Sequence, residues 1–463
     1  MMRGLNRMKK TVIRMAKKVR TKEEIRKAAR KRWLIALSVL LCIILLIFFI
    51  DRVFNQLLIR YVRSFEPVDY SGVERTLPEY DEELGHYCFS DEKGLKIMLL
   101  TDIHLGGGRW SWKTYRKAVY EIISMLQVVK PDLVIMNGDN TFACPGPVYN
   151  GGGTLNNRMA ARVLTELFEH EGVYFTTVFG NHDSEVFDYF SREKLGKYYE
   201  SEKFTYSIYR SEYSDEDAEI PSVTNQIIAL KNGDGEVNKL LLLLDSNAYV
   251  DRSIKSVLDW SYDTIHQAQV DWAKDEIRKI SDKEGYPGRT CIDTLAFMHI
   301  PPGEFQEAYQ DLERNGFNDT ENTEYITGVW DEKIDDTLGI RVWFGGCTRF
   351  TDAPTEADTF FETLGPEGVG ALEAVFCGHD HTNNVAVRFM GVSLIYGMSM
   401  DNTAYDDIAL SGLQRGCTII EVDNDGTMTW EYKNAYTDLG VDADKFMDVY
   451  LDHYYYENYV PKY

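Results

Sequence analysis

Five short apolar runs in this chain each end, within one or two residues, in Asp, Asn or His. LKIMLL leads into Thr101-Asp102-Ile103-His104, and DLVIM into Asn137-Gly138-Asp139-Asn140. VYFTTVF leads into Gly180-Asn181-His182-Asp183, TLAFM into His299-Ile300-Pro301-Pro302, and AVFC into Gly378-His379-Asp380-His381. Apolar runs of this length bounded by such residues read as buried strands leaving the core for loops. In an open α/β sheet the carboxyl ends of strands line one crevice, so the five tips are expected to converge. Only nine histidines occur in the chain, yet two stand at 379 and 381, where an extended backbone turns both rings to one side. Each motif alone is weak, because Gly-Asp is common in loops. Five in this order are not explained by chance capping of strands.

Helical periodicity between the runs sharpens the fold class. Leu95–Thr101 is expected as a strand, 112–129 as a helix, Leu133–Met136 as a strand, 157–170 as a helix and Val173–Phe179 as a strand. Such alternation implies βαβ units and a buried sheet. Further strands are expected at Gln226–Leu230, Leu240–Leu244, Thr294–Met298 and Ala374–Cys377, a helix across 264–280, and hairpins across 385–396 and 417–433. The acidic, Gly- and Thr-rich stretch 303–370 is too long for a plain loop and reads as an insertion. No internal repeat is present.

Residues 33–50, WLIALSVLLCIILLIFFI, run for 18 positions without a charge, the length of a membrane-spanning helix. No small-residue cleavage site follows, so a retained anchor is expected rather than a signal peptide. Residues 1–32 carry a net charge of +12 in a chain whose total is −23. A basic flank on that side predicts a cytoplasmic N-terminus and a single-pass protein whose large domain lies outside the cytoplasm. The expected division is a basic tail 1–32, a transmembrane helix 33–50, a neck and linker 51–94 and one domain 95–463. The acidic remainder argues against nucleic acid as a partner. Of the seven cysteines, Cys377 and Cys291 read as small core residues, and no disulfide is expected.

The residues at the strand tips also suit one chemistry. Imidazole, carboxylate and carboxamide ligands match first-row cations such as Mn, Fe and Zn. Seven such groups are too many for one ion with an open position, and suit two ions about 3.5–4 Å apart. The order DxH, GD, GNH, H, GHxH resembles the calcineurin-like metallophosphoesterase superfamily, over about residues 95–400. The resemblance implies an α/β fold, a four-layer α/β/β/α sandwich, here preceded by one transmembrane helix. It implies two divalent or trivalent metal ions, with Asp102, His104 and His381 on one, Asn181, His299 and His379 on the other, and Asp139 bridging both. His182 becomes the histidine that contacts the phosphate and assists the leaving group. Asp183 beside it is placed either behind the site or as a helix cap.

Departures from relatives refine the expectation. Calcineurin-like protein phosphatases carry GDxxDR, where this chain has Gly138-Asp139-Asn140-Thr141-Phe142-Ala143. The acidic partner of the catalytic histidine and the phosphate-binding arginine are both missing at those positions, leaving open what orients His182. Purple acid phosphatases carry GDxxY; Phe142 stands at that position without an oxygen, while His104 supplies a ligand those enzymes lack. Gly378-His379-Asp380-His381-Thr382-Asn383-Asn384 nonetheless looks like the purple-acid-phosphatase-like branch. The expectation is a membrane-anchored phosphoesterase acting through a metal-activated hydroxide, on phosphate monoesters first, with nucleotide or lipid-headgroup diesters as the alternative. A non-catalytic surface receptor that kept the fold is the reading from another class.

Overall fold

The computed structural model describes residues 21–90, 93–109, 112–143, 154–215, 220–258, 261–286, 291–328, 358–381, 383–402 and 415–442. The chain divides into two units, Met1–Arg52 and Val53–Tyr463.

The first unit holds most of helix α1 (Lys22–Val62, 41 residues). Its start is a capping box: the Glu24 N–H donates to Thr21 Oγ1 at 3.2 Å and the Thr21 N–H to Glu24 Oε2 at 2.9 Å. The helix therefore begins well before the apolar run, and no part of its most apolar 18-residue window is buried. At about 1.5 Å per residue such a window spans roughly 27 Å, close to the thickness of a hydrocarbon core. It is a candidate membrane span. Residues 1–20 of the expected basic tail lie outside the described residues.

The second unit is built on two sheets. Among the described residues one has nine strands, in the order β1 (Pro78–Asp81), β2 (His86–Ser90), β6 (Gln226–Lys231), β7 (Val237–Leu243), β8 (Thr294–Phe297), β10 (Leu372–Cys377), β12 (Val392–Tyr396), β11 (Ala386–Phe389) and β9 (Thr323–Thr327). The other has five, in the order β14 (Met428–Asn434), β13 (Gly416–Val422), β3 (Leu95–Leu100), β4 (Leu133–Asn137) and β5 (Tyr174–Val178). The neighbours β3, β4 and β5 are parallel, as are β7, β8, β10 and β12, so their carboxyl ends point one way within each sheet.

Alternation along the strands sets the layers. Ile97 and Leu99 of β3 join Leu241, Leu243, Phe297, Ala374 and Phe376 in a core between the sheets. Met98 and Leu100 face the other way, onto α2 (Trp112–Val129), α3 (Asn157–Glu171) and α4 (Arg192–Tyr199). Leu240, Leu242, Val375 and Cys377 likewise face α6 (Gln267–Lys283), α7 (Glu304–Arg314) and α8 (Phe360–Leu364). The result is the four-layer α/β/β/α sandwich. Helix α2 shows why the periodicity was legible: Tyr115, Ala118, Val119, Ile122, Ile123, Met125 and Leu126 are buried along one stripe. The chain's remaining described helix is α5 (Ile254–Leu258).

Three expectations change. The stretch 64–93, read as linker, contributes β1 and β2, and β2 pairs in parallel with β6 while burying His86, Cys88 and Phe89. Its acidic, Pro- and Gly-containing composition masked two short strands. The segment read as an insertion supplies α7 and α8 to the outer core and β9 to a sheet edge, so those parts are built into the fold; residues 329–357 lie outside the described residues. The helix expected at 264–280 starts later, at Gln267, because the backbone of its N-cap residue His266 is extended. The last turns of α1 bury Leu58, Ile59 and Val62, and Asn55 Nδ2 donates to the Met159 carbonyl at 2.8 Å. Cys42, Cys88, Cys291, Cys377 and Cys417 are free thiols.

Candidate metal centre

The carboxyl ends of β3, β4 and β5 meet those of β8 and β10 across the two sheets. Asn137, the last residue of β4, ties them together: its carboxamide donates to the Met298 carbonyl at 2.8 Å and the Phe376 carbonyl at 3.1 Å. The loops then continue the pairing, with the Asp102 N–H on Gly138 O at 3.0 Å, the His104 N–H on Asp139 O at 2.8 Å and the Gly378 N–H on His299 O at 3.0 Å. This close packing explains two glycines. Gly138 has φ +91°, and a Cβ there would run into the His299 ring; at Gly378 it would run into the Thr101 hydroxyl. Asp102, His104, Asp139 and His379 all adopt positive φ, the strained left-handed region in which Asp and His are tolerated and which clusters at functional sites.

All seven expected ligands are buried. Asp102, His104, Asp139 and His381 can present one atom each within 4.8 Å of one another, and so can Asp139, His299 and His379. Asp139 belongs to both groups. Its Oδ2 lies 3.1 Å from His104 Nε2 and 3.1 Å from His299 Nε2, and Asp102 Oδ1 lies 3.2 Å from His381 Nε2. Asn181 Nδ2 donates to the Tyr249 hydroxyl at 3.4 Å, leaving its Oδ1 buried without a hydrogen bond. His379 Nε2 is buried without a hydrogen bond too. Orphaned acceptors at the centre of a polar cluster are what a cation site requires. The residues present fit a dinuclear centre.

Neighbours fix the ring orientations. His299 Nδ1 donates to the Asn137 carbonyl at 3.1 Å, which leaves Nε2 as the coordinating atom. His381 Nδ1 is 3.0 Å from Asp401 Oδ2, and the other oxygen of Asp401 lies 3.9 Å from His104 Nδ1. Burial disfavours the cation at every imidazole, but the outcomes differ. His104 is pushed down, and His379 falls to about 3, with His299 adding to the effect of burial. At His381 the Asp102 and Asp401 carboxylates outweigh burial and hold the ring well above its ordinary value. Burial would raise the Asp139 carboxyl, yet the surrounding histidines keep it well below the carboxylate range.

His182 is part-exposed, and what orients it is Glu185: His182 Nδ1 lies 2.7 Å from Glu185 Oε1. The His182 backbone N–H donates to Asp139 Oδ1 at 2.8 Å. Burial opposes its protonation, but Asp139 and Glu185 prevail and lift it to about 9; cations bound at Asp139 would cancel much of that pull. Asp183, expected either behind the site or as a helix cap, is a brace behind it and makes no contact that would give it a catalytic part. Its oxygens accept the N–H groups of Gly180 at 2.8 Å, Thr141 at 2.9 Å and Asn140 at 3.3 Å, binding the β4 and β5 loops together. Burial, with Asp139 adding, pushes its carboxyl to about 6. Phe142 stacks on His104, with centroids 5.2 Å apart and planes 11° from parallel.

Four contributors escaped the sequence reading: Asn137, Glu185, Asp401 and Tyr249. A fifth, Asp245, follows β7 just as the ligands follow their strands, and that signal was available. Asp245 is buried and accepts from Arg192 Nε at 3.0 Å, while Arg192 also donates to the Gly180 and Phe179 carbonyls, so the pair secures the β5 loop.

Residues 95–288 match the family described as Calcineurin-like phosphoesterase. The chain carries a calcineurin-like phosphoesterase domain. Two proteins of Arabidopsis thaliana are similar to this chain. One, named "Probable inactive purple acid phosphatase 29", is 23% identical over 72% of this chain and 78% of its own length. The other, named "Probable inactive purple acid phosphatase 14", is 24% identical over 73% and 78%. A solved dimetal phosphatase from Danio rerio aligns with 74% of this chain and 97% of its own, at 12% identity and a TM-score of 0.41.

Proposed function

We propose that this protein is a membrane-anchored, dinuclear-metal phosphoesterase that hydrolyses phosphate esters outside the cytoplasm, with monoesters preferred. The observation that carries the reading is the pair of ligand groups sharing Asp139. Asp102, His104 and His381 would hold one ion, Asn181, His299 and His379 the other, and Asp139 both. When bound, the two cations supply a hydroxide from water near neutral pH and neutralise phosphoryl oxygens as the ester bond breaks. The chain's residues do the rest. His182, held through Nδ1 by Glu185, keeps its other nitrogen for a proton or hydrogen bond to the phosphoryl or leaving oxygen. Asp183 and Arg192 keep the loop bearing Asn181 and His182 in place.

The similar plant proteins bear the word inactive in their names, which makes turnover the deciding measurement. A receptor reading has less support, because a donor atom stands at every ligand position. Purified protein should hydrolyse an aryl phosphate, lose that activity to a chelator and regain it with Mn, Fe or Zn. Two tightly bound ions with no turnover of aryl mono- or diesters would overturn the reading. Monoester over bis-aryl diester is the expected preference. The anchor orientation rests on the net charge of +12 before residue 33. Protease outside intact cells should degrade 95–463 and spare the basic tail; the reverse would place the domain in the cytoplasm.

A further inference from the structure

The loop that carries His182 has an inverted surface. Its acids turn inward, Glu185 to His182 and Asp188 to the Glu185 N–H at 2.9 Å, while its apolar residues turn outward. Val186 is 37% exposed, Phe187 40% and Tyr189 60%. Leu155, 43% exposed, continues the patch: its carbonyl accepts the Tyr189 N–H at 2.9 Å. Contiguous exposed apolar side chains at the mouth of a site mark something they meet.

Cationic side chains also stand beside this patch. Residues 33–463 are strongly acidic in total. Yet Arg158 lies over the Phe190 ring at 5.4 Å, and Lys203 over Tyr198 at 4.3 Å. Arg158 and Arg162 stand close enough to Lys203 to disfavour its charge, behind the effect of burial and against the pull of Glu166.

The patch is tied to the last turns of α1. Asn157 Nδ2 donates to the Phe190 carbonyl at 2.9 Å, and two residues on, the Met159 carbonyl accepts from Asn55 at 2.8 Å. The apolar run ends at Ile50, five positions before Asn55. Even fully extended, five residues reach only about 17 Å. By chain length alone, Asn55 stands no farther than that from the end of the run.

Resting on the reading of an anchored phosphoesterase, we propose that the 185–190 loop and the amino end of α3 dock on the bilayer holding the anchor, and that the substrate is a phosphate ester carried by a lipid at that surface. The apolar side chains enter the headgroup boundary and Arg158 and Lys203 meet anionic headgroups, the pairing that holds amphipathic surfaces on membranes. His182 then faces esters presented in the plane of the bilayer.

The test uses the full chain in nanodiscs of phosphatidylcholine and phosphatidylserine. A nitroxide label on Phe187→Cys should relax more with oxygen, which partitions into lipid, than with a water-soluble nickel chelate. A label on Phe317→Cys, an exposed apolar position away from the patch, should show the reverse. Equal aqueous exposure at both positions would overturn the docking. The double variant Phe187→Asp/Tyr189→Asp should lose about tenfold or more in turnover of phosphatidic acid in the same discs, and stay within about twofold on soluble p-nitrophenyl phosphate. Equal loss on both esters, no loss on either, or an unmutated chain that hydrolyses only the soluble ester would overturn the substrate class. Failure of the phosphoesterase reading itself differs: the unmutated chain would hydrolyse neither ester, while the labels still decide the docking.

Discussion

The two groups of ligands that share Asp139 are built on different principles. Asp102, His104 and His381 bring a carboxylate of their own, and Asp401 stands behind both rings, 3.0 Å from His381 Nδ1 and 3.9 Å from His104 Nδ1. Asn181, His299 and His379 bring no charge. His299 is braced by the neutral Asn137 carbonyl, and His379 meets the edge of Tyr262, with centroids 4.7 Å apart. The consequence is visible within one motif: burial takes His379 down to about 3, whereas carboxylates overcome burial at His381, two residues away. Charge stored behind the ligands makes the first group the stronger cation trap. The second brings no anion of its own and shares Asp139 with the first.

The comparison can be broken by experiment, beginning with the residue common to both groups. Asp139→Asn should empty both positions and abolish nearly all turnover, measured by metal analysis and aryl phosphate hydrolysis. Near-normal activity with two ions per chain would end the bridging assignment. Next, His182→Ala should leave both positions loaded and lower kcat by about 10²–10⁴-fold, the usual worth of acid–base help. The loss should shrink for good leaving groups such as nitrophenol; an equal loss for all would make His182 a phosphate anchor. Asp401→Asn should weaken the first ion alone by about 10–100-fold, read by chelator competition, with the second unchanged. Equal weakening of both would erase the asymmetry. Smallest, Glu185→Gln should cost about tenfold in kcat through a weaker hydrogen bond to His182, with both metal affinities intact and most of the loss regained in Glu185→Asp. Iron loading adds a check by colour: Phe142 has no oxygen, so no tyrosinate-to-Fe(III) band should appear.

Much of the site was legible because its signals are local. A strand buried on both faces reads as a continuous apolar run, and a ligand at its tip must follow within a residue or two. Asp102, His104, Asp139, Asn181, His299, His379 and His381 all stand at such tips, and the fold buries each of them. For Asp183 the sequence leaves two places open, behind the site or at a helix cap, and the fold takes the first. Which way a carboxylate turns in a loop depends on the N–H groups it meets, and two of its three partners lie on the neighbouring loop. The strands β1 and β2 were missed because each is short and stands in acidic surroundings, where composition favours a linker.

Local pattern was therefore enough for the class of fold, the candidate ligands and the apolar helix, since each is written within a few consecutive residues. Tertiary structure decided what stands behind those residues. Asn137 reaches carbonyls 161 and 239 positions away, and Asp401 reaches His381 from the end of another strand. Glu185 and the apolar rim sit in a loop whose inward acids invert the usual surface pattern, and only the packed fold reveals which side chains that loop turns to water. Side-chain direction in a loop carries no period in sequence; it is set by partners that folding brings from a distance.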